Sequence, residues 1–211
     1  MMHRMDIGDW QDFNLREDLG FVIYHGRRLN KANRIDGEVP FVTAGHENRG
    51  VKQYIETDRT KYKNPITVDM FGNCFYHPYE CCGDDNVYFF VNDKISDLSK
   101  LFISTSINVR TRHIYNYSEQ FRQRDANSLT VTLPVTESGE PDWEYMDSYM
   151  SKIMGESEYT AEILSTKKFL KTKMDVNMWQ GFEMSLGLGF DIFHGRRLNK
   201  ANRIDGEVPF V

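Results

Sequence analysis

The sequence predicts an α/β chain in three parts: a mixed-sheet globule over residues 1–135, a helical arm over residues 136–173, and an incomplete second opening over residues 174–211. Three observations predict it. Short apolar runs bounded by Gly, Asn and Asp fill the first part, which is strand-and-turn patterning. An apolar stripe at spacings of three and four residues marks the second part as helix. The third part repeats the beginning of the chain.

Taken in order, residues 21–24 (Phe-Val-Ile-Tyr) form a short strand. Residues 27–34 are polar and suit one helical turn or two. Residues 39–43 form a strand, with Pro40 expected at an edge or a strand start because it has no N–H for a ladder. Residues 50–57, 66–71 and 86–91 show strand patterning, with Asp69, Gly72, Asn73, Asp84 and Asp85 as turn residues between them. Residues 98–108 are helical, with Leu98, Leu101, Phe102 and Ile107 facing inward. Residues 129–133 alternate as a strand closed by Pro134.

The arm begins after a turn at residues 137–141, with Asp142 as N-cap and Glu144 in the first turn. Trp143, Met146, Met150 and Ile153 share one helix face and are assigned as a partner interface. Tyr159, Ile163, Thr166 and Leu170 continue the pattern, with Gly155 as a site of kinking or interruption. About 30 helical residues span about 45 Å. That is too long for a satellite of one small sheet and fits packing against another helix.

The repeat is the most informative feature. Residues 25–42 recur without change as residues 194–211, an offset of 169 residues. Upstream, residues 5–24 align with 174–193, where 9 of 20 positions are identical, including Trp10 with Trp179 and Phe13 with Phe182. The offset is a domain period, far longer than a solenoid repeat. The step from partial to complete identity is abrupt. Two origins fit: a shared DNA segment through which domains exchange by recombination, or duplication followed by truncation. Residues 174–211 stop where their counterpart goes on to further strands, so they are not expected to form an independent domain.

Composition removes whole classes. The 211 residues carry 26 Lys+Arg against 31 Asp+Glu, a net charge of −5, and 13% are aromatic. That aromatic content argues against disorder. No apolar run approaches a membrane span, no signal peptide opens the chain, and three cysteines suit a reducing compartment. A cytoplasmic protein without membrane contact is expected. Residues 21–133 hold 15 basic and 13 acidic side chains, so a mildly basic middle lies between acidic flanks. Binding follows the local field rather than the total charge.

Enzyme signatures are missing. The sequence contains no Gly-x-Ser-x-Gly, P-loop, His-Glu-x-x-His or Asn-Pro-Pro-Tyr motif, and Gly187-Leu-Gly189 lacks the third glycine of a dinucleotide fingerprint. Cys74, His77, Cys81 and Cys82 are compactly spaced but lack a second ligand pair of the usual zinc kind, so packed, reduced thiols are expected. His25, His46 and His113 have no evident nucleophile to activate. No metal and no cofactor is expected.

Several motifs in order carry a family resemblance: residues 26–31 (Gly-Arg-Arg-Leu-Asn-Lys), 39–45 (Val-Pro-Phe-Val-Thr-Ala-Gly), 48–51, 66–73, 84–90, and 115–122 (Tyr-Asn-Tyr-Ser-Glu-Gln-Phe-Arg) followed by 129–135. Over roughly residues 10–170 the chain resembles the DNA-specificity subunits of type I restriction-modification systems. The likeness extends to single-domain specificity subunits of type II enzymes such as BcgI. The resemblance implies an α/β target-recognition domain followed by a helix packing as an antiparallel coiled coil. It also implies a subunit without catalysis that docks a methyltransferase subunit and a nuclease or translocase subunit. One domain and arm would read one half of a bipartite DNA site. A second copy joined through the arms would make that site symmetric. The alternatives are an accessory chain of a DNA methyltransferase or nuclease, and an interaction module without DNA contact.

On that reading the basic clusters acquire roles. Lys and Arg suit phosphates, Arg suits guanine, and Asn suits adenine. Arg27, Arg28, Lys31 and Arg34 lie in the repeated segment and are assigned to phosphate or scaffold, because a segment shared by two domains of different specificity cannot read different bases. Sequence reading is assigned to the unrepeated His46, Asn48, Arg49, Lys61, Tyr62, Lys63, Arg110, Arg112, Tyr117, Arg122 and Arg124.

Overall fold

Four apolar runs pair as the central sheet: β2 (Val22–His25), β8 (Val87–Val91), β5 (Ile66–Asp69) and β6 (Cys74–Tyr76), all antiparallel and in that spatial order. The computed structural model describes residues 8–111 and 113–166, with side chains as far as Glu158. The chain divides after Glu162, and the globule lies in the first unit, Met1–Glu162. The two-residue side-chain period sorts the sheet into two faces.

Ile66, Val68, Tyr76, Tyr88 and Phe90 point to one face, into a core shared with Leu15, Phe21, Phe102, Ile103, Ile107, Phe121, Val131 and Leu133. α1 (Asp97–Thr111) and the antiparallel pair β1 (Gln11–Asn14) and β9 (Thr130–Leu133) supply that cover. Val87 and Phe89 point to the other face and pack with Val42, Val51, Cys81, Tyr62 and Tyr79. There the cover is a mixed sheet in the order β4 (Val51–Glu56), β3 (Ile35–Val42), β7 (Cys82–Gly83), with β3 antiparallel to β4 and parallel to β7. Fully burying one such aromatic or aliphatic side chain stabilises the fold by about 1.5–3 kcal/mol.

Several elements depart from the sequence expectation. β3 starts at Ile35 rather than near Val39, and Pro40 sits inside it opposite Tyr54. β7 pairs only with Phe41 and Val42, so Pro40 lies where β3 has a partner on the β4 side alone. In α1, Phe102 and Ile107 are buried as expected, but Leu98 and Leu101 are only half-buried. The buried line runs through Ser99, Ile103 and Ile107, because two small serines let the helix lie close. Residues 27–34 form only a single 3-10 turn, Lys31–Asn33. β1, β6, β7 and α2 (Gln123–Asn127) have no sequence-level counterpart above, being short or polar.

α3 (Trp143–Thr166) starts at the expected cap, where the Asp142 carboxylate accepts the Tyr145 N–H at 2.9 Å. It runs through Gly155 without a break. Met146, assigned above to a partner interface, is 0% exposed in the globule core, and that assignment is corrected. Trp143 and Met150 are half-buried against the same core, while Ile153 is exposed. Asp147 fixes this root from the side, accepting the Ser96 and Ser99 hydroxyls at 2.5 and 2.6 Å. The side chains of Tyr159, Ile163 and Thr166, as well as Leu170 and residues 174–211, lie outside the described residues.

Met146→Ala is therefore expected to destabilise the globule by about 2–5 kcal/mol in chemical denaturation. Unchanged stability with impaired assembly would restore the interface assignment.

Candidate nucleic-acid interface

Antiparallel pairing decides which loops meet. His25 lies opposite Tyr88, Val87 opposite Asp69, and Cys74 opposite Val68. The C-terminal ends of β2 and β5 and the N-terminal ends of β6 and β8 therefore share one end of the sheet. The segments leaving it are residues 26–34, the turn 70–73 and the approach 84–86.

Asp69 draws in further loops. Its carboxylate is buried and accepts four hydrogen bonds: Gly45 N–H at 2.8 Å, Phe71 N–H at 2.8 Å, Asn73 N–H at 3.0 Å and the Asn73 amide at 2.8 Å. The bond to Gly45 ties residues 44–50 to the sheet end. In that loop Asn48 and Arg49 both have positive φ, 46° and 54°, a conformation that L side chains rarely adopt in succession. The Asn48 amide donates to the Val51 carbonyl, and the Arg49 guanidinium lies 5.8 Å from the Tyr79 ring centre. His46, Asn48 and Arg49 are all exposed.

The turn after Asp69 anchors the third segment. The Thr111 hydroxyl donates to the Gly72 carbonyl at 2.5 Å, and the Phe121 N–H donates to the Met70 carbonyl at 2.9 Å. Gly72, at φ 78°, leaves no room for a Cβ, which would meet the Thr111 carbonyl at 2.7 Å and the Tyr115 ring at 2.8 Å. The loop from 113 to 122 is thus held at the same end. It carries exposed Tyr117 and Arg122, flanked by exposed Arg110 and Arg124. Arg110 lies 3.7 Å from Asp12, and Arg124 3.6 Å from Asp125, both as surface pairs worth little by themselves. Arg112 lies outside the described residues.

At the β2 corner the chain presses against its neighbour. A Cβ at Gly26 would sit 2.0 Å from the Asp84 carbonyl, so only glycine fits. Arg27 and Arg28 follow, both exposed. Their carbonyls are clamped by one guanidinium, that of Arg59, at 2.7 and 3.1 Å. Arg59 and Lys61 both lie near Cys82, where each opposes the rise that burial gives the Cys82 thiol. Arg27, Arg28, Arg59 and Lys61 so form one basic corner. Arg59 escapes sequence reading: an isolated arginine in a polar loop carries no signal that it grips backbone.

Two expected contacts are corrected, and a third, Lys63, is exposed but lies apart from the rest. Arg34 is only 10% exposed, lies 3.6 Å from Asp84, donates to the Leu29 carbonyl and covers the Phe41 ring at 4.6 Å. It is scaffold. Tyr62 is half-buried, stacked between Tyr24 at 5.0 Å and Phe89 at 4.4 Å, so its ring faces are occupied; burial raises its hydroxyl pKa and Arg27 opposes the rise. Lys63 precedes Asn64, whose amide donates to Asp97, and Pro65 leads into the start of β5. That is the end of β5 opposite Asp69.

The cysteine cluster disperses. Cys74 lies in the main core, Cys81 in the second cluster and Cys82 in a third with Phe41 and Ile55. Burial raises the Cys74 and Cys81 thiols. His77 is fully buried, facing the Thr67 hydroxyl at 2.9 Å and the Tyr79 hydroxyl at 3.2 Å. Among the described residues no group of three or more His, Cys, Asp or Glu is arranged to hold a metal ion.

Comparison with known proteins agrees with this architecture. The family described as Type I restriction modification DNA specificity domain matches residues 7–165. A curated relative from Heyndrickxia coagulans, the type II restriction enzyme specificity subunit S.BcgI, is 29% identical over 194 residues, covering 86% of this chain and 54% of that protein. The S subunit of the type I restriction-modification system from M. genitalium has the same fold, with a TM-score of 0.50 at 15% identity over 75% of this chain and 43% of that one. A chain from a study of assembly and conformational transition of the type I system has a TM-score of 0.50 at 14% identity, with the same coverage. The chain thus spans about half the length of the relatives it matches.

His77 gives a pH test of the packing behind Arg49. Burial, helped by the nearby Arg49 charge, lowers its pKa from 6.5 to about 4. The unfolded chain protonates below pH 6.5 while the folded chain resists until about pH 4, so stability is full above the unfolded value and falls as pH drops through that window. The expected loss is on the order of 3 kcal/mol. Denaturation midpoints from pH 7 to 4 measure it, and His77→Gln should flatten the profile. A slope unchanged in the variant would contradict the assignment.

Proposed function

Because the chain belongs to the type I restriction modification DNA specificity domain family, we propose that it recognises one half of a bipartite DNA sequence for a restriction-modification assembly. One observation carries this reading. Arg, Lys, Asn, His and Tyr from four separate segments converge on a single end of the central sheet, and the loops that bear them are braced by Asp69, Gly72 and Gly26. A surface built that way suits a duplex, where cations meet phosphates and short polar side chains reach base edges.

Within it, Arg27, Arg28 and Lys31 hold phosphates, with Arg59 fixing the backbone of the first two. His46, Asn48, Arg49, Lys61, Arg110, Arg122 and Arg124 read the sequence, and Arg112 belongs with them by its place in the chain. The subunit is non-catalytic and brings a methyltransferase subunit to an adenine and a nuclease or translocase subunit to the same assembly. Among the described residues no helix is long and apolar enough to cross a membrane, in keeping with work on DNA in the cytoplasm.

The target-recognition domain ends where α3 leaves the core, after Met150 rather than at residue 135. Beyond it the helix acts as the arm, packing antiparallel on a partner helix. Among the described residues of α3, Tyr145, Ile153 and Met154 are the exposed large apolar ones, and Ile153, two turns on from Met146, continues the Met146 face past the core. Residues 174–211 begin a second recognition domain, and a second copy can join through the arm.

Adenine methylation sequenced genome-wide in the source strain, with and without this gene, tests the function: one bipartite motif should lose its methylation, and an unchanged methylome would refute it. With that motif known, Arg110→Ala should cost about 1–3 kcal/mol of specific binding and little nonspecific binding. Arg27→Ala with Arg28→Ala should weaken both alike and lower the salt slope by about 0.9 for each phosphate no longer neutralised. Equal profiles for the two variants would erase the division between phosphate and base contacts. Ile153→Glu should impair assembly in sedimentation while the melting temperature holds; normal assembly would rule out the arm interface.

A further inference from the structure

We propose that Tyr117 is a stacking wedge that enters bound duplex DNA at an opened base step, an inference that rests on the DNA-reading role above. Tyr117 is 82% exposed, the highest among the exposed large apolar side chains of the described residues.

The ring is exposed yet firmly mounted. Asn116 closes the turn beneath it: its side-chain oxygen accepts the Ser118 N–H at 2.9 Å, the Ser118 hydroxyl at 2.7 Å and the Glu119 N–H at 3.2 Å. Its own N–H donates to the Glu119 carbonyl at 3.0 Å. The Tyr117 carbonyl accepts the Gln120 amide at 3.3 Å. Phe71, in the turn braced by Asp69, props the ring edge-on at 5.1 Å between centres. Tyr115, two residues earlier, is instead half-buried, edge-on to Phe121 at 5.3 Å. One tyrosine roots the loop and the other projects from it.

The chemistry selects the occupant. Arg110, Arg122 and Arg124 flank the loop, which favours a polyanion over an apolar protein surface. Glu119, exposed two residues along the same turn, adds a carboxylate that repels phosphate, which suits entry between bases rather than contact with the backbone. Every base offers a π-face, and aromatic wedges unstack a step at a cost that depends on its sequence. Flexible pyrimidine–purine steps are the cheapest to open. Tyr117 would thus read deformability at a position where no hydrogen bond is made.

The test uses the full chain at low ionic strength and two labelled duplexes of one random sequence, matched or with a single abasic site that opens the stack. The wild type should prefer the abasic duplex by about tenfold, as one base–aromatic stack allows. Tyr117→Ala should abolish the preference, and Tyr117→Trp should retain it. Circular dichroism should give all three proteins the same melting temperature, since the ring is exposed. Equal affinity of the wild type for both duplexes, or a preference surviving in Tyr117→Ala, overturns the wedge alone. Failure of the wild type to bind either duplex overturns the DNA-reading role and the wedge with it.

Discussion

One buried carboxylate orders the end of the sheet on which the function depends. Asp69 closes β5 and accepts hydrogen bonds from Gly45, Phe71 and Asn73 together. Each donor left without it would be unsatisfied in a poorly hydrated site, at about 1–3 kcal/mol apiece. Loops 44–50 and 70–73 therefore have one arrangement rather than several. The second loop passes that order on through Gly72 and Met70 to the segment bearing Tyr117 and Arg122. A recognition surface made of loops needs such bracing, because loose side chains must be ordered at the moment of binding.

The repeated segment makes physical sense in this frame. Residues 25–42 include Gly26, pressed on the Asp84 carbonyl, and Arg34, seated on Phe41 beside Asp84. The Leu29 N–H donates to the same Asp84 carboxylate at 3.1 Å, and Gly37 lies against the backbone of Glu56. Nearly every distinctive residue there serves the scaffold or fixes a backbone corner. The identity runs up to Val42, whose counterpart is Val211, the last residue of the sequence.

Much of the fold was legible. β2, β4, β5, β8, β9 and α1 announce themselves because apolar alternation or helical spacing survives in their own residues. β1 was not, since Gln11-Asp-Phe-Asn14 is a strand only through its pairing with β9. The arm shows the limit of periodicity: Trp143, Met146 and Met150 do share a face, but spacing cannot say whether that face meets its own globule or another chain. Arg34 shows the limit of composition, for a basic residue in a basic run proved to be the buried partner of Asp84. Arg59 was invisible because its partners are carbonyls, which every sequence contains. The convergence of four loops on one sheet end follows from strand order, which no local pattern encodes.

The central claim is that DNA meets the sheet end ordered by Asp69. Backbone-amide NMR of the full chain titrated with duplex DNA at low salt tests it most directly. The account predicts shifts in residues 27–31, 45–49, 70–73 and 113–122, with residues 92–96, which follow β8 at the opposite end of the sheet, unmoved. Shifts centred on residues 92–96, or none in the four loops, would contradict it.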